Sequence, residues 1–318
     1  MKKDVIILLN MGGPNNLDEV ELFLKNMFND PNILTMKSAL LRRFVASMIT
    51  FFRTESSKEI YKTLGGKSPI VDLTKNIVKK LQDMLKEGVI VDFVMRYTPP
   101  FADEVIQTLK EHEISKVYLI PMYPQYSTTT TKSSVEDFLD AFAKSGIKAE
   151  TVYVKEYYDN KSYNEAVLSR IKESVGDKRY EDYDIVFSAH GLPQKIIDAG
   201  DVYQEHVIKN VDILKEMMTK SGMDFKGVHL AYQSKVGPMK WLEPSLGEML
   251  KTLKERNVVI YPIAFTVDNS ETDYELAMEY KEIAHDLGIK DYRVCRCVND
   301  HELFVKALAE IYGKMKKE

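Results

Sequence analysis

The chain has 318 residues, 44% of them hydrophobic and 29% charged, with a formal net charge of −4. That is enough for two α/β domains of ordinary size, and it leaves no global basic field to draw the protein to nucleic acid. Its two cysteines, Cys295 and Cys297, are too close along an extended chain for a mutual disulfide and too few for a four-cysteine metal or iron–sulfur site.

A reducing, cytoplasmic setting is expected. The first apolar run covers only residues 5–9 and lacks a small-residue cleavage site, and no stretch reaches the roughly 20 apolar residues that span a bilayer. The protein is expected to be soluble or to touch a membrane from one side.

Runs rich in Val, Ile, Tyr and Phe predict strands near 4–9, 89–95, 116–121, 147–154, 183–188, 227–233, 257–263 and 291–296, with amphipathic helices between them. Such alternation is the pattern of βαβ units and parallel sheets. Eight strands suggest two similar doubly wound halves, each with a four-stranded parallel sheet. The division expected is residues 1–130 with 300–318 against 131–299, the chain changing over near 128–134 and a last helix at about 301–315 packing on the first half. No internal repeat is visible in the sequence.

After the first strand, Asn10-Met11-Gly12-Gly13-Pro14 predicts a tight turn into a helix that Asn16 or Asp18 would cap. It has neither G-x-G-x-x-G nor the Lys-Ser/Thr of a phosphate loop, so nucleotide binding is weakly supported. Met11 would sit at the mouth of a crevice. Residues 31–54 contain no acid, yet set Lys37, Arg42, Arg43 and Arg53 among Leu40, Leu41, Phe44, Met48, Phe51 and Phe52. Three readings stay open for it: a lipid-facing helix, the entrance for an apolar ligand, or a buried crossover.

At 61–70, Gly65-Gly66 would end one helix, Ser68 would cap the next and Pro69 would take its first turn, while Tyr61 and Ser68 are candidates to face a ligand. The second strand delivers Arg96-Tyr97, and an arginine there suits a carboxylate or phosphate. The third delivers Tyr123-Pro124-Gln125-Tyr126-Ser127 and four threonines.

In the second half, Tyr-Asp-Ile-Val-Phe-Ser-Ala-His-Gly-Leu-Pro over 183–193 predicts a buried strand that carries His190 to its carboxyl end. In an open parallel sheet, ligands bind at that end. Trp241, the only tryptophan, lies in a Gly/Pro-bounded loop and suits a flat partner or a plug. Glu271, Glu275 and Glu279 recur at i, i+4 and i+8 on one helix face, where like charges repel. Such a column is either solvated or a path for cations and protons into the crevice.

Taken together, Leu-Asn-Met-Gly-Gly-Pro at 9–14, Gly-Gly-x-Ser-Pro at 65–69, Met-Arg-Tyr at 95–97, Tyr-Pro-Gln-Tyr-Ser at 123–127, Ser-Ala-His-Gly-Leu-Pro at 188–193, Gln-Ser-Lys-Val-Gly-Pro-Met-x-Trp-Leu at 233–242 and Pro-Ile-Ala-Phe-Thr-x-Asp-x-x-Glu-Thr at 262–272 resemble the ferrochelatase family over nearly the whole chain. The resemblance implies two Rossmann-like, chelatase-like halves with an active-site cleft between them. It implies insertion of ferrous iron into protoporphyrin IX to form protohaem, the terminal step of haem biosynthesis.

By the same resemblance His190 and Glu271 are the catalytic and metal residues, and Glu275 and Glu279 continue a proton or metal path. Met11, Tyr61, Ser68, Arg96, Tyr97 and Trp241 line the porphyrin pocket. Ferrous iron is a substrate, no further cofactor is required and no iron–sulfur cluster is expected.

One position departs from the family pattern Asp-His-x-Glu: here it reads Asp268-Asn269-Ser270-Glu271. Asparagine hydrogen-bonds but does not exchange a proton near neutral pH. Alternatives to protoporphyrin metallation are a coproporphyrin III chelatase, a chelatase for another divalent metal such as cobalt, and a non-catalytic porphyrin- or haem-binding protein. A periplasmic-type solute-binding module would share the two-lobed fold but needs a signal peptide. Peripheral contact with the inner face of a membrane, through about 36–52, is the further partner expected.

Overall fold

The computed structural model describes residues 2–317 apart from 86, 236 and 238. Two of those, 236 and 238, fall in the Gln-Ser-Lys-Val-Gly-Pro-Met motif and lie outside the described residues. Strand β1 (Lys3–Asn10) buries every residue from Asp4 onward, as only a strand covered on both faces can. It is the second strand of a four-stranded parallel sheet ordered β2-β1-β3-β4.

The first unit takes in residues 1–155 and 305–318. In chain order β1 leads to α1 (Glu19–Asn29), α2 (Ala39–Thr63), α3 (Ile70–Leu85) and β2 (Val89–Met95). Then come α4 (Ala102–Leu109), β3 (Ile114–Pro121), a π-helix over Thr128–Lys132, α5 (Ser133–Ser145) and β4 (Glu150–Tyr153). Alternate residues Val5, Ile7 and Leu9 of β1 pack with Val105 and Leu109 of α4 and Phe138 of α5, following the period-2 geometry of a strand. Asn16 is the residue that caps α1, its Oδ1 accepting from the amides of Asp18 and Glu19 at 2.9 and 3.2 Å. Gly65 and Gly66 follow α2 at φ +84° and +89°, a conformation that glycine adopts without a Cβ penalty.

The second unit, residues 156–304, repeats the plan. It runs α6 (Lys161–Val175), β5 (Tyr183–His190), α7 (Gln194–Asp198), α8 (Tyr203–Lys220), β6 (Gly227–Gln233) and α9 (Leu246–Thr252). It closes with β7 (Asn257–Tyr261), a π-helix over Glu271–Glu279, α10 (Tyr280–Asp286) and β8 (Asp291–Val294). The sheet order, β6-β5-β7-β8, is the same as in the first unit. Both cysteines follow the end of β8 as buried free thiols.

The changeover falls at 155/156 rather than near 130, because α5 and β4 complete the first sheet: β4 pairs with β3 from Lys116↔Glu150 to Leu119↔Tyr153. The last helix, α11 (Glu302–Met315), does return to the first unit. There the Tyr312 hydroxyl and Lys316 ammonium each donate to Asp4 Oδ2 at 2.7 Å. The Tyr312 ring meets Tyr118 edge-on at 4.9 Å.

Candidate active site

His190 is the last residue of β5, and its backbone is held from several directions. Its register partner is Gln233, the last residue of β6. The Tyr203 hydroxyl donates to the His190 carbonyl oxygen at 3.0 Å. The next amide, of Gly191, donates to the Gln233 carbonyl at 2.9 Å. A Cβ on residue 191 would lie 2.6 Å from that same oxygen, so a side chain there would force β5 and β6 apart. Pro193 pairs with Trp241 in an antiparallel bridge, and the Leu242 amide donates to the Leu192 carbonyl at 3.0 Å. Trp241 is thereby buried against the turn that follows His190.

Glu271 comes from a turn held by its own hydrogen bonds. Buried Asp268 accepts from the Cys297 amide and from Asn299 Nδ2, both at 2.7 Å. Asn269 Oδ1 accepts the Glu271 amide at 2.8 Å while its Nδ2 donates to the Val267 carbonyl at 3.1 Å. Asn269 is therefore a buried capping residue at the start of the π-helix. Glu271 Oε2 then lies 2.7 Å from His190 Nδ1. An ionised carboxylate only accepts, so Nδ1 carries a proton, and in the neutral ring Nε2 keeps its lone pair.

The end of β6 grips both glutamates. The Ser234 amide donates to Glu275 Oε1 at 2.9 Å, and its hydroxyl lies 2.6 Å from Glu275 Oε2 and 3.2 Å from Glu271 Oε2. Gln233 Nε2 reaches each carboxylate at 3.4 Å, and its Oε1 accepts from the Ser188 hydroxyl at 2.8 Å. Glu279 stands exposed farther along the π-helix, its carboxyl pushed up by burial and by Glu282. Among the described residues, the hydrogen-bonded set ends at Glu275.

These contacts decide the protonation of the set. Burial pushes the His190 imidazolium down, but the Glu271 charge and hydrogen bond, helped by Glu275, carry its pKa above the usual value. Burial pushes Glu271 up, and His190, Ser234 and Gln233 hold it below the usual carboxylate range. Glu275 is raised to about 7, by burial first and by the Glu271 charge second. The arrangement is thus an imidazole with one carboxylate to neutralise it and a second poised to take up a proton near neutrality. Among the described residues no cluster of three or more His, Cys, Asp or Glu is placed to hold a metal; His190 and Glu271 are two donors.

The candidates of the first unit divide differently. Met11, Tyr61 and Tyr97 gather with Val20, Phe23 and Leu24 in one apolar cluster. Arg96 is engaged by its own neighbours: Nη2 lies 3.2 Å from Asp30 Oδ2, Nη1 lies 3.1 Å from Asp137, and Nε donates to Ser133 Oγ at 3.0 Å. The Tyr97 hydroxyl donates to the same Asp30 oxygen at 2.9 Å, and the Ser133 hydroxyl donates to it as well. Ser68 is buried, accepts the Ile70 amide at 3.4 Å and packs so close to Gly13 that a Cβ there would lie 2.6 Å away.

Sequence reasoning missed Asp30, Gln233, Ser234 and the capping role of Asn269. Gln233 carried a usable signal, being the strand-end neighbour of His190 once β5 and β6 are paired. Asp30 carried none beyond a local turn to the Asn32 amide, because Arg96, Tyr97 and Ser133, which share its Oδ2, lie 66 and more residues away.

The apolar segment resolves into α2. Ala46, Thr50 and Thr54 are buried at four-residue spacing, while Leu40, Leu41, Phe44, Met48, Phe51 and Phe52 are exposed, Leu40 by 78% and Phe51 by 77%. The helix buries its small and polar stripe and presents its large apolar one, the reverse of a globular surface helix. Among the described residues no helix is long and apolar enough to cross a membrane.

Known proteins match the chain from end to end. The family model of ferrochelatases matches residues 3–316. A ferrochelatase of Sulfurimonas denitrificans is 61% identical over 316 residues, covering 99% of this chain and 100% of that protein. One of Nitratiruptor is 51% identical over 310 residues, covering 98% and 99%, and one of Helicobacter pylori is 45% identical over 317, covering 99% and 94%. Among solved structures, SirB from Bacillus subtilis with Fe3+ superposes with a TM-score of 0.58 at 13% identity, covering 97% of this chain and 93% of that one. At that identity the likeness is one of fold.

Proposed function

The chain belongs to the ferrochelatase family, enzymes that load ferrous iron into a porphyrin, and we propose that here the porphyrin is protoporphyrin IX, the base is His190 and its partner is Glu271. The observation that carries the assignment is the 2.7 Å contact of His190 Nδ1 with Glu271, which leaves Nε2 as a base at a strand's carboxyl end.

Metallation removes two pyrrole protons. Nε2 takes a proton from a pyrrole N–H as Nδ1 gives its own to Glu271, from which it passes on to Glu275; the proton left on Nε2 exchanges with solvent and Nδ1 regains one before the second pyrrole proton is removed. The hydrated ferrous ion sheds water for the macrocycle nitrogens, with the imidazole and carboxylate as passing ligands. Trp241, fixed against the turn after His190, supplies a flat apolar surface for the ring. Met11, Tyr61, Ser68, Arg96 and Tyr97 are the candidate substrate-side residues of the first unit.

Protoporphyrin is the apolar choice among the candidate porphyrins, and the reversed amphipathicity of α2 supports it. A protein that exposes Leu40, Phe44, Phe51 and Phe52 beside the exposed cations Lys37 and Arg43 is built to rest on an anionic lipid surface, where a greasy substrate partitions. The deciding experiment is anaerobic metallation of protoporphyrin IX and, separately, coproporphyrin III with Fe²⁺, following loss of the free-base spectrum. Faster turnover of protoporphyrin is expected. A preference for coproporphyrin III would overturn the substrate assignment, and binding of either porphyrin without metallation would overturn the activity. Co-sedimentation with anionic liposomes should fall when Leu40, Leu41 and Phe44 are made polar; unchanged co-sedimentation removes the membrane contact.

A further inference from the structure

Ser234 is a non-glycine residue held at φ +64° directly after β6. Left-handed backbone costs an L-residue on the order of 1 kcal/mol, and persists where the surroundings impose it. What that conformation achieves here is a clasp. It turns the amide of Ser234 onto Glu275 Oε1 and sets the hydroxyl between Glu275 Oε2 at 2.6 Å and Glu271 Oε2 at 3.2 Å. A serine hydroxyl has one proton to give and two lone pairs to receive with, so between two carboxylates it joins a donor to an acceptor. Gln233 cannot take this part: its Nε2 only donates, and reaches each carboxylate at 3.4 Å.

We propose that the Ser234 hydroxyl is the link through which a proton moves from Glu271 to Glu275 during metallation. This deepens the reading of His190 and Glu271 given above and rests on it. In the transfer the proton on Glu271 Oε2 bonds to Ser234 Oγ as the O–H bond of Ser234 breaks toward Glu275 Oε2. Ser234 ends as the neutral hydroxyl it began as. Glu271 is again a carboxylate, Glu275 holds the proton, and His190, which gave its Nδ1 proton to Glu271, keeps the pyrrole proton on Nε2.

The test separates the hydroxyl from the backbone. Ser234→Gly removes the hydroxyl while favouring positive φ and keeping the amide that binds Glu275; Ser234→Ala removes it and keeps the strain. Single-turnover metallation, KM for porphyrin and the solvent deuterium isotope effect are measured for both, beside His190→Ala and Glu271→Gln.

The expected result is a fall of about 10- to 100-fold in the metallation rate of both Ser234 variants, with KM within about twofold and an isotope effect altered from that of the wild type. Wild-type rate and isotope effect in Ser234→Gly overturn the proposal, whatever Ser234→Ala does, because a backbone role alone would spare the glycine. If Ser234→Gly is unaffected while His190→Ala and Glu271→Gln are inactive, the Ser234 link fails and the reading of the site stands. If all of these variants turn over normally, both fail.

Discussion

β1 and β5 are the same strand twice, and they end in different chemistry. Each has eight residues, is the second strand across its sheet, is buried along nearly its whole length and finishes on a polar residue with glycine and then proline within the next four positions. At the end of β1, Asn10 Oδ1 accepts from the next amide, that of Met11, at 2.8 Å. Beside it Arg96, a permanent cation, binds the carboxylates of both Asp30 and Asp137. At the end of β5, His190 faces Glu271 and Glu275, and among the described residues neither glutamate pairs with a lysine or arginine. Identical topology therefore supplies a place and leaves its use open. Carboxylates tied to a permanent cation fix structure, whereas carboxylates gathered around a titratable imidazole keep proton affinity available near neutral pH.

Replacing the two strand-end residues breaks the comparison most forcefully. His190→Ala is expected to lower the metallation rate by about a thousandfold or more while porphyrin quenching of protein fluorescence persists. Asn10→Ala should cost stability alone, about 1 kcal/mol for the lost amide partner. Full activity in His190→Ala would erase the distinction.

Next in size is Asp30→Ala, which leaves Arg96 and Tyr97 without their shared acceptor. It should lower unfolding free energy by about 3 kcal/mol in urea titrations, whereas Glu271→Gln should change that quantity little and turnover greatly.

A third change sharpens the contrast through pH. Glu275, faced by Glu271, His190, Ser234, Tyr280 and Tyr292, is raised to about 7 from an ordinary 4.5. A raised folded-state value means that the contribution is fully present below the unfolded value and is lost as pH rises through 7. Glu275→Gln should therefore leave the melting temperature near wild type at pH 5 and raise it at pH 8, by at most about 3 kcal/mol of stability. No gain at pH 8 would mean that the ionised carboxylate is not disfavoured.

Smallest is Asn269→His. It forfeits the bond to the Val267 carbonyl, about 1 kcal/mol, and metallation should stay within about threefold of wild type. A larger loss would show that the cap, and with it the placing of Glu271, depends on asparagine.

Much of this was legible in the chain itself. All eight strands lie where runs of β-branched and aromatic residues put them, and for β1, β3, β5 and β7, the strands inside each sheet, burial on both faces requires such runs. His190 could be found because a polar residue between a buried strand and Gly-Leu-Pro has only a strand end to occupy. The domain boundary was misplaced by 25 residues, since no turn signal says to which sheet a four-residue strand such as β4 will pair. The helix of Glu271–Glu279 was visible as a periodic segment, but spacing alone does not separate an α-helix from the wider π form. Arg96 read as a ligand clamp because its partner Asp30 lies 66 positions earlier, beyond any local pattern.

The return of α11 to the first unit bears on how the chain assembles as it is made. The Asp4 carboxylate waits for Tyr312 and Lys316, more than 300 residues downstream, while residues 156–304 form a contiguous stretch with their own sheet and core. During synthesis the inserted unit has all its parts before the unit that encloses it does. Closing so long an intervening segment adds little entropy over a shorter one, because that cost grows only with the logarithm of length. The unit bearing His190 is thus complete first, and the last turns of the chain finish the unit with which it began.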